Sequence, residues 1–219
     1  MIKLVVFDWN GVLIADAQAC TEIVSLVLQK YGRPAIDLKT YQNVYEVPIK
    51  NMYRKLGFTG AEIAREGMHI QDIFHEHYEP RIAHVRTRTG ARRLLKWLSE
   101  ENIECVIFSN HTIDGVRHQL ERLKIGSYFS HVLANDKYQA MNGQTKGDRL
   151  KNFLADRPLK KEEALIIGDS AEEVVIGKRL GLATVAITGG YSSAARLKEA
   201  KPDYLIHNLI DMIDIIKEV

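Results

Sequence analysis

Cysteine and net charge are both scarce in this 219-residue sequence, and each absence excludes a class of protein. The two cysteines, Cys20 and Cys105, are far apart, so the sequence contains neither a disulfide framework nor a zinc-type cysteine spacing. The 30 basic and 28 acidic residues leave a formal net charge of +2. This balance gives no electrostatic sign of nucleic-acid or membrane-surface binding.

Long apolar runs are missing as well. No run approaches the roughly 18 residues that a membrane span needs, and no apolar leader with a cleavage site precedes the first strand pattern. There is no internal repeat and no low-complexity segment, and 46% hydrophobic with 26% charged residues is ordinary for a globular protein. We therefore expect a cytoplasmic protein, a monomer or homodimer, without nucleic-acid or membrane partners.

What the sequence does have is a set of short apolar runs that end in polar side chains. Residues 2–7 are almost continuously apolar, as in a strand buried on both faces, and they lead into Asp8 just before Gly11. Two later runs end in the same way, one in Ser109-Asn110 and the other in Gly168-Asp169-Ser170. Open α/β sheets bind ligands beyond the carboxyl ends of their strands. We therefore expect these polar side chains to meet in one site.

The periodicity of the remaining sequence predicts an interrupted α/β fold. Residues 16–78 show helical spacing without a convincing strand, whereas strands and helices alternate from about Thr89 to the end. The alternation predicts a parallel sheet with helices on both faces. Because the helical stretch follows the first strand directly, we interpret it as a lid inserted after that strand.

The ordered set of Asp8, Ser109-Asn110, Lys146 and Gly168-Asp169-Ser170 resembles the four motifs of the haloacid dehalogenase-like hydrolase superfamily. The resemblance extends over the whole chain, and the part from about Thr89 onward looks most like the phosphoglycolate phosphatase-like branch. It implies a Rossmann-like three-layer α/β/α core with a parallel sheet, formed by residues 1–14 and 86–219. It also implies a small all-helical cap domain formed by residues 15–85.

Most members of the superfamily are magnesium-dependent phosphatases, and the resemblance assigns roles to the acidic residues. Asp8 would attack phosphorus as the nucleophile. A Mg²⁺ cofactor would be held by Asp8, the backbone carbonyl of Asn10 and Asp169, because hard oxygen ligands suit this ion. Glu173, one helical turn after Asp169, would bind waters of the metal, with Glu172 as a weaker alternative.

Two further motifs would bind phosphate. Ser109 and Asn110 would donate hydrogen bonds to the phosphoryl oxygens from a strand end that leads into a helix N-terminus. Lys146 would neutralise the phosphate and the clustered carboxylates, with Lys137 as the alternative. Each of these residues also has a plain structural interpretation, as a helix cap or a solvated surface charge. Their order along the chain favours function.

Two other motifs are interpreted as structural. Four histidines, His69, His75, His77 and His84, lie in residues 15–85, but His75 and His77 are two residues apart and point to different faces of a helix, which favours a solvated surface over a metal site. The segment Gly189-Gly190-Tyr191 resembles a family loop near the rim of the active site, and a simple turn explains it equally well.

Asn10 is the main departure from the family pattern. Most of its phosphatases carry an Asp at this position, which protonates the leaving group and then activates water. An amide has no titratable proton and cannot do either. General acid–base assistance is typically worth about 10²–10⁴-fold in rate, so we expect substrate binding to survive better than turnover.

The function expected from the sequence is Mg²⁺-dependent hydrolysis of small phosphorylated metabolites, with Asp8, Asn10 and Lys146 at a catalytic centre of reduced activity. Two alternatives stay open. One is hydrolysis of a C–P or C–halogen bond, and the C–P reaction would need a lid amine such as Lys50 or Lys55. The other is a catalytically impaired member that binds phosphometabolites or a protein partner.

Overall fold

One parallel sheet forms the centre of the protein. The computed structural model describes residues 1–136 and 145–219. The strands in these ranges are Leu4–Asp8 (β1), Glu104–Thr112 (β2), His131–Asn135 (β3), Ala164–Gly168 (β4), Ala183–Ile187 (β5) and Tyr204–Ile206 (β6). They are arranged in the order β3-β2-β1-β4-β5-β6. Every neighbouring pair is parallel, and β1 lies between β2 and β4.

Helices cover both faces of this sheet and also form the inserted stretch. The helices are Ala17–Lys30 (α1), Leu38–Val44 (α2), Ile49–Lys55 (α3), Gly60–Ile82 (α4), Ala91–Glu100 (α5), Ile113–Leu123 (α6), Lys146–Ala155 (α7), Ala171–Leu180 (α8), Ala194–Glu199 (α9) and Met212–Glu218 (α10). Val5 and Phe7 of β1 pack against α5, α6 and α10. Leu4 and Val6 pack against α7 and α8. Because successive strand residues point to opposite faces, this division confirms the predicted three-layer α/β/α core.

The lid, defined here as residues 15–85, contains α1 to α4 and has a hydrophobic cluster of its own. Ile23, Val27, Met52 and Ile73 are among its buried members, and Tyr191 from the core packs into the same cluster. Two adjacent chain segments join the lid to the core, with Ala15 N donating to Arg86 O at 3.1 Å and Arg88 N donating to Leu13 O at 2.9 Å. The two segments that connect the lid to the core are therefore hydrogen-bonded to each other, close to the end of β1.

The structure confirms the alternation of strands and helices and differs from the sequence prediction in several boundaries. The short helices α2 and α9 were not predicted. Helix α4 continues past Pro80 to Ile82 rather than ending at Tyr78. Strand β2 extends to Thr112, four residues beyond the predicted apolar run.

Across the two described ranges, none of the helices combines the length and the apolar character that crossing a membrane requires.

Candidate active site

A buried lysine lies between two buried carboxylates at the carboxyl edge of the sheet. Asp8 is the last residue of β1, and Lys146 is the first residue of α7. Lys146 Nζ donates to Asp8 Oδ1 at 2.7 Å and to Glu173 Oε1 at 2.6 Å. Only 3% of Lys146 is exposed, so the interpretation of this residue as a solvated surface charge is wrong. The alternative, Lys137, lies outside the described residues.

Asp169 completes an acidic group with Asp8 and Glu173. One carboxylate oxygen from each of the three residues lies within 4.8 Å of the others. Asp169 Oδ2 accepts a hydrogen bond from Tyr191 N at 2.6 Å. The backbone approaches Asp169 so closely that a Cβ on Gly190 would lie 2.0 Å from Oδ2. The Gly-Gly-Tyr segment therefore packs directly against this carboxylate, and its interpretation as a simple turn is incomplete.

The first turn of helix α8 carries Glu173 of the acidic group and the neighbouring Glu172. Ser170 caps this helix, and Glu173 closes a capping box in which its Oε2 accepts from Ser170 Oγ at 2.8 Å and from Ser170 N at 3.2 Å. With Oε1 on Lys146, both oxygens of Glu173 are engaged by the protein. Glu172 accepts from Asn110 Nδ2 at 3.0 Å and lines the same cavity.

The charges of this cluster do not balance. Burial raises the pKa of Asp8 to about 8, with Glu173 adding to the shift and Lys146 opposing it. Burial, together with the charges of Asp8 and Glu173, raises the pKa of Asp169 well above its ordinary value. For Lys146 burial opposes the charge, but Asp8 and Glu173 outweigh it and raise the pKa. Four carboxylates around one ammonium therefore leave a deficit of positive charge.

The donor set suits a hard divalent cation. Carboxylate oxygens are preferred ligands of such ions, and the raised pKa values of Asp8 and Asp169 show that extra positive charge would stabilise the ionised cluster. Since the oxygens of Glu173 are bound by Lys146 and Ser170, Asp8 and Asp169 are the better candidates for direct ligands.

Ser109 and Asn110 lie near the acidic group, within β2 and a few residues before its end. The helix after β2 begins at Ile113 and is capped by Thr112, so the alternative interpretation of the pair as helix caps is wrong. The pairing of β2 with β3 is irregular between Phe108 and Thr112. Ser109 Oγ donates to Asn10 Oδ1 at 3.3 Å, while Asn110 is exposed beside Glu172.

Asn10 is held by a carboxylate that the sequence did not single out. Asp16 is fully buried and its Oδ2 accepts from Asn10 Nδ2 at 2.8 Å, from Tyr78 OH at 2.8 Å and from Tyr191 OH at 2.7 Å. Asp16 Oδ1 accepts from Gly11 N at 2.8 Å. These donors come from the end of β1, from lid helix α4 and from the loop after β5, so Asp16 ties the lid to the core.

The lid and the core together line a cavity of about 250 Å³ that includes the acidic group. On the core side this cavity is lined by Asp8, Asn10, Asn110, His111, Asn135, Lys146, Asp169, Ser170, Glu172, Glu173 and Tyr191. On the lid side it is lined by Cys20, Val24, Tyr41, Tyr45, Ile49, Met52, Tyr53, Ile70, Gln71, Phe74, His75 and Tyr78. His75 is thus a cavity residue, and its interpretation as part of a solvated helix surface is wrong.

His75 and His111 bring titratable groups to the side of the cavity. Burial and the neighbouring His111 lower the pKa of His75. Burial also lowers the pKa of His111, whose Nε2 lies 3.3 Å from Glu79 Oε1. Both shifts favour neutral imidazoles at physiological pH.

Comparisons with known proteins identify a family of hydrolases. The family model of haloacid dehalogenase-like hydrolases matches residues 5–187. The chain belongs to this family. Phosphoglycolate phosphatase 1 of Pseudomonas aeruginosa is 26% identical over 219 residues, which cover 96% of this chain and 78% of that protein. The phosphoglycolate phosphatase of Vibrio parahaemolyticus is 21% identical over 223 residues, which cover 98% of this chain and 96% of that protein.

Solved structures of haloacid dehalogenase-like proteins share the fold. A family hydrolase from Streptococcus pneumoniae superposes with a TM-score of 0.80 at 21% identity, covering 98% of both chains. A predicted phosphatase from Clostridium acetobutylicum superposes with a TM-score of 0.81 at 20% identity, covering all of both chains. Together, these relatives support an enzyme that acts on phosphate esters.

Two residues of this haloacid dehalogenase-like site, Asp16 and Tyr78, were missed by sequence reasoning, and Tyr191 was noted only as part of the Gly-Gly-Tyr segment. Asp16 lies at the first turn of the lid and had no motif of its own. Tyr78 and Tyr191 are far apart in the sequence, and both donate to Asp16. The available signal was the Gly-Gly-Tyr segment after β5, because two adjacent glycines permit a close backbone approach.

Proposed function

We propose that the protein is a magnesium-dependent phosphatase of small phosphorylated metabolites and that Asp8 carries the phosphoryl group as an aspartyl-phosphate. The observation that carries this proposal is the buried Asp8–Lys146 contact of 2.7 Å, placed within 4.8 Å of Asp169 and Glu173. In the lid-covered cavity these residues are removed from bulk water, which strengthens their electrostatic interactions.

The reaction divides into two displacements. An oxygen of Asp8 attacks phosphorus, and the bond between phosphorus and the ester oxygen breaks with its electron pair on the leaving group. Water then attacks phosphorus, releases inorganic phosphate and restores Asp8. Lys146, kept protonated by Asp8 and Glu173, supplies a fixed positive charge beside the phosphoryl oxygens.

Asp8, Asp169 and the backbone carbonyl of Asn10 would hold Mg²⁺, and Glu173 would bind its waters while positioning Lys146. When bound, this ion would stabilise the negative charge of the transferring phosphoryl group. Asn110 beside Glu172 and Ser109 beside Asn10 are the proposed hydrogen-bond donors to phosphate. In this proposal residues 15–85 act as the cap domain and residues 1–14 and 86–219 as the catalytic core.

Asn10 favours one second candidate, a member that binds phosphate esters but turns them over poorly. Its amide nitrogen donates to Asp16 and to Tyr78, so the side chain is engaged in the lid contact. A C–P hydrolase is less well supported, since neither Lys50 nor Lys55 is among the described residues that line the cavity.

Hydrolysis of acetyl phosphate tests the proposal, because this small activated substrate needs neither lid contacts nor a proton for its leaving group. We expect turnover with Mg²⁺, loss of turnover with EDTA, and no turnover in the Asp8→Asn variant, whose amide cannot attack phosphorus. Thermal unfolding of Asp8→Asn serves as the folding control. Turnover by a folded Asp8→Asn variant would remove Asp8 from the mechanism. Calorimetric binding of ethyl phosphate with no turnover of any ester would support the binding-only candidate.

A further inference from the structure

The lid side of the cavity differs from the core side in the polarity and charge of its side chains. Its described lining is apolar or aromatic apart from Gln71 and His75, and it includes no Lys, Arg, Asp or Glu. Burial lowers the pKa of His75 and so favours its neutral form. The ammonium group in the described lining belongs to Lys146, which already contacts Asp8 and Glu173. Among the described residues, a substrate that reaches the lid therefore meets no fixed positive charge there.

This lining is unsuitable for a second anionic group on the substrate. A carboxylate buried without a cation costs several kcal/mol even after relaxation, and each 1.4 kcal/mol is a tenfold loss in affinity. The relatives named phosphoglycolate phosphatases act, by that name, on a small ester that carries such a carboxylate. The described lid residues that line the cavity offer it no cationic side chain.

The size and shape of the cavity favour a ring. Two groups of contacting aromatic side chains line it. Tyr45 and Tyr191 have ring centroids 4.9 Å apart with Tyr41 packed beside them, and Phe74 stacks on Tyr78 at 5.4 Å. An apolar cavity of about 150 Å³ holds benzene, so the 250 Å³ found here accommodates one aromatic ring in addition to a phosphoryl group. Aromatic pairs add about 0.5–1.5 kcal/mol beyond area burial.

Asn10 points to the same class of substrate for an independent reason. Its amide cannot protonate a leaving group, which penalises alkyl esters. A phenolic oxygen spreads its charge into the ring and departs as the phenolate without a proton from the enzyme. The lid and the residue at position 10 therefore favour the same kind of ester.

We infer that the substrate is a phosphate monoester of an uncharged aromatic alcohol of the phenol type, with the ring between the lid aromatics and the phosphoryl group on Asp8. This inference rests on the proposed phosphatase function. In the reaction the aryl oxygen–phosphorus bond breaks, the phenolate leaves with the electron pair and takes a proton from water, and a second water releases phosphate from Asp8.

Kinetics with six phosphate compounds, phosphoglycolate among them, separate this inference from the proposed function. Acetyl phosphate reports phosphatase activity alone. Phenyl phosphate is expected to exceed both ethyl phosphate and para-carboxyphenyl phosphate in kcat/KM by at least about tenfold. Para-carboxyphenyl phosphate is the charged control, because its leaving group is similar to phenolate but carries an added carboxylate. Benzyl phosphate, a ring ester with an alkyl leaving group, is expected to exceed ethyl phosphate and to fall below phenyl phosphate in kcat/KM.

A charge placed on the lid provides a matched test. Gln71→Lys adds a cation to the cavity lining, and Met68→Lys adds the same charge on the same helix at a residue that is 73% exposed. With Gln71→Lys, turnover of para-carboxyphenyl phosphate is expected to improve in kcat/KM relative to phenyl phosphate by about tenfold. Met68→Lys is expected to leave that ratio unchanged.

The outcomes are distinct. Turnover of acetyl phosphate together with equal kcat/KM for phenyl and para-carboxyphenyl phosphate would overturn the inference and leave the proposed function standing. Preference for phosphoglycolate over phenyl phosphate would overturn it in the same way. Failure to turn over acetyl phosphate would overturn the proposed function, and the inference with it.

Discussion

The two sides of the cavity differ sharply in charge. On the core side four carboxylates surround Lys146 at the end of a sheet whose strands fix their positions. On the lid side the described lining is apolar and aromatic, carried by helices that pack in a cluster separate from the sheet. The difference indicates a division of work. Under the proposed function, the edge of the sheet supplies the charge that phosphoryl transfer needs, and the inserted helices would select the group attached to the phosphate.

Removal of Lys146 should have the largest effect on the stability and the activity of the core side. In the metal-free protein, Lys146→Met leaves Asp8 and Glu173 buried without their cation, and removing one partner of a buried ion pair typically costs about 3–5 kcal/mol. Urea unfolding is expected to show a loss of this size, and acetyl phosphate turnover should disappear. The matched lid variant, Met52→Leu, conserves volume in an apolar contact and should cost less than about 1.5 kcal/mol.

Adding Glu173→Gln to Lys146→Met should recover part of the lost stability but none of the activity, since one buried charge is removed and the catalytic cation is still missing. Equal stability losses for Lys146→Met and Met52→Leu would show that the charge contrast between the two sides has no energetic consequence.

The second largest expected effect is a change in turnover when the contact between Asn10 and Asp16, where lid and core meet, is altered. Asn10→Asp places a carboxylate in the position that now contacts Asp16 at 2.8 Å, so the two would share a proton with each other rather than offer it to substrate. The double variant Asn10→Asp/Asp16→Asn keeps the number of carboxylates constant and moves the charge to position 10. Its turnover of ethyl phosphate should rise, approaching the roughly 10²–10⁴-fold range of general acid–base catalysis.

Steady-state rates with ethyl phosphate and phenyl phosphate check this expectation, with Asp16→Asn alone as the control. The gain should be larger for ethyl phosphate, whose leaving group needs a proton. An equal or greater gain in the single Asn10→Asp variant would show that Asp16 does not restrain position 10.

The sequence predicted the core side of this contrast far better than the lid side. Asp8, Lys146 and Asp169 stand at strand ends or helix starts in a fixed order, and parallel strands bring such positions to one edge, so local patterns were sufficient to anticipate their proximity. The buried state of Lys146 follows from tertiary packing between α7 and α8, which a local pattern does not encode.

The lid side depended on contacts that periodicity alone does not reveal. Helical spacing predicted α1, α3 and α4 but not which of their faces would line a cavity, and His75 was therefore assigned to the solvent. The Asp16 contact joins residues 10, 16, 78 and 191, which are distant in sequence and belong to no shared motif. Short-range reasoning could recognise a carboxylate at the start of a helix but not its donors from distant parts of the chain, Tyr78 and Tyr191.

Mg²⁺ affinity should distinguish the role of Asp169 from that of Glu173 on the core side. Asp169→Ala removes a proposed direct ligand and is expected to weaken Mg²⁺ binding beyond the range of about 10–100-fold that changes at outer positions typically cost. Glu173→Gln alters a residue whose oxygens are bound by Lys146 and Ser170, so its loss should stay within that range. Titration calorimetry on both variants measures the difference. Equal losses would place Glu173 directly on the metal.

The smallest expected effect is a pH dependence of stability that belongs to the core side alone. Burial raises the folded-state pKa of Asp8 from 3.8 to about 8, against Lys146 on α7 and in concert with Glu173 and Glu172 on α8. Between these two values the folded protein binds more protons than the unfolded chain, so the free energy of unfolding should fall as pH rises from about 4 to about 8. The fall should reach at least about 1.4 kcal/mol, the equivalent of one pKa unit.

Urea unfolding of the metal-free protein across this range measures the slope, and Asp8→Asn, which cannot titrate at position 8, should flatten it. Saturating Mg²⁺ should flatten it too, because the ion favours the ionised carboxylates, and should therefore stabilise the protein more at the upper end of this pH range than at the lower. The exposed lid variant Met68→Lys should keep the parent slope. A slope unchanged in Asp8→Asn would mean that the titration arises at other groups, among them Asp169, whose pKa is also raised by burial, and would remove Asp8 as its source.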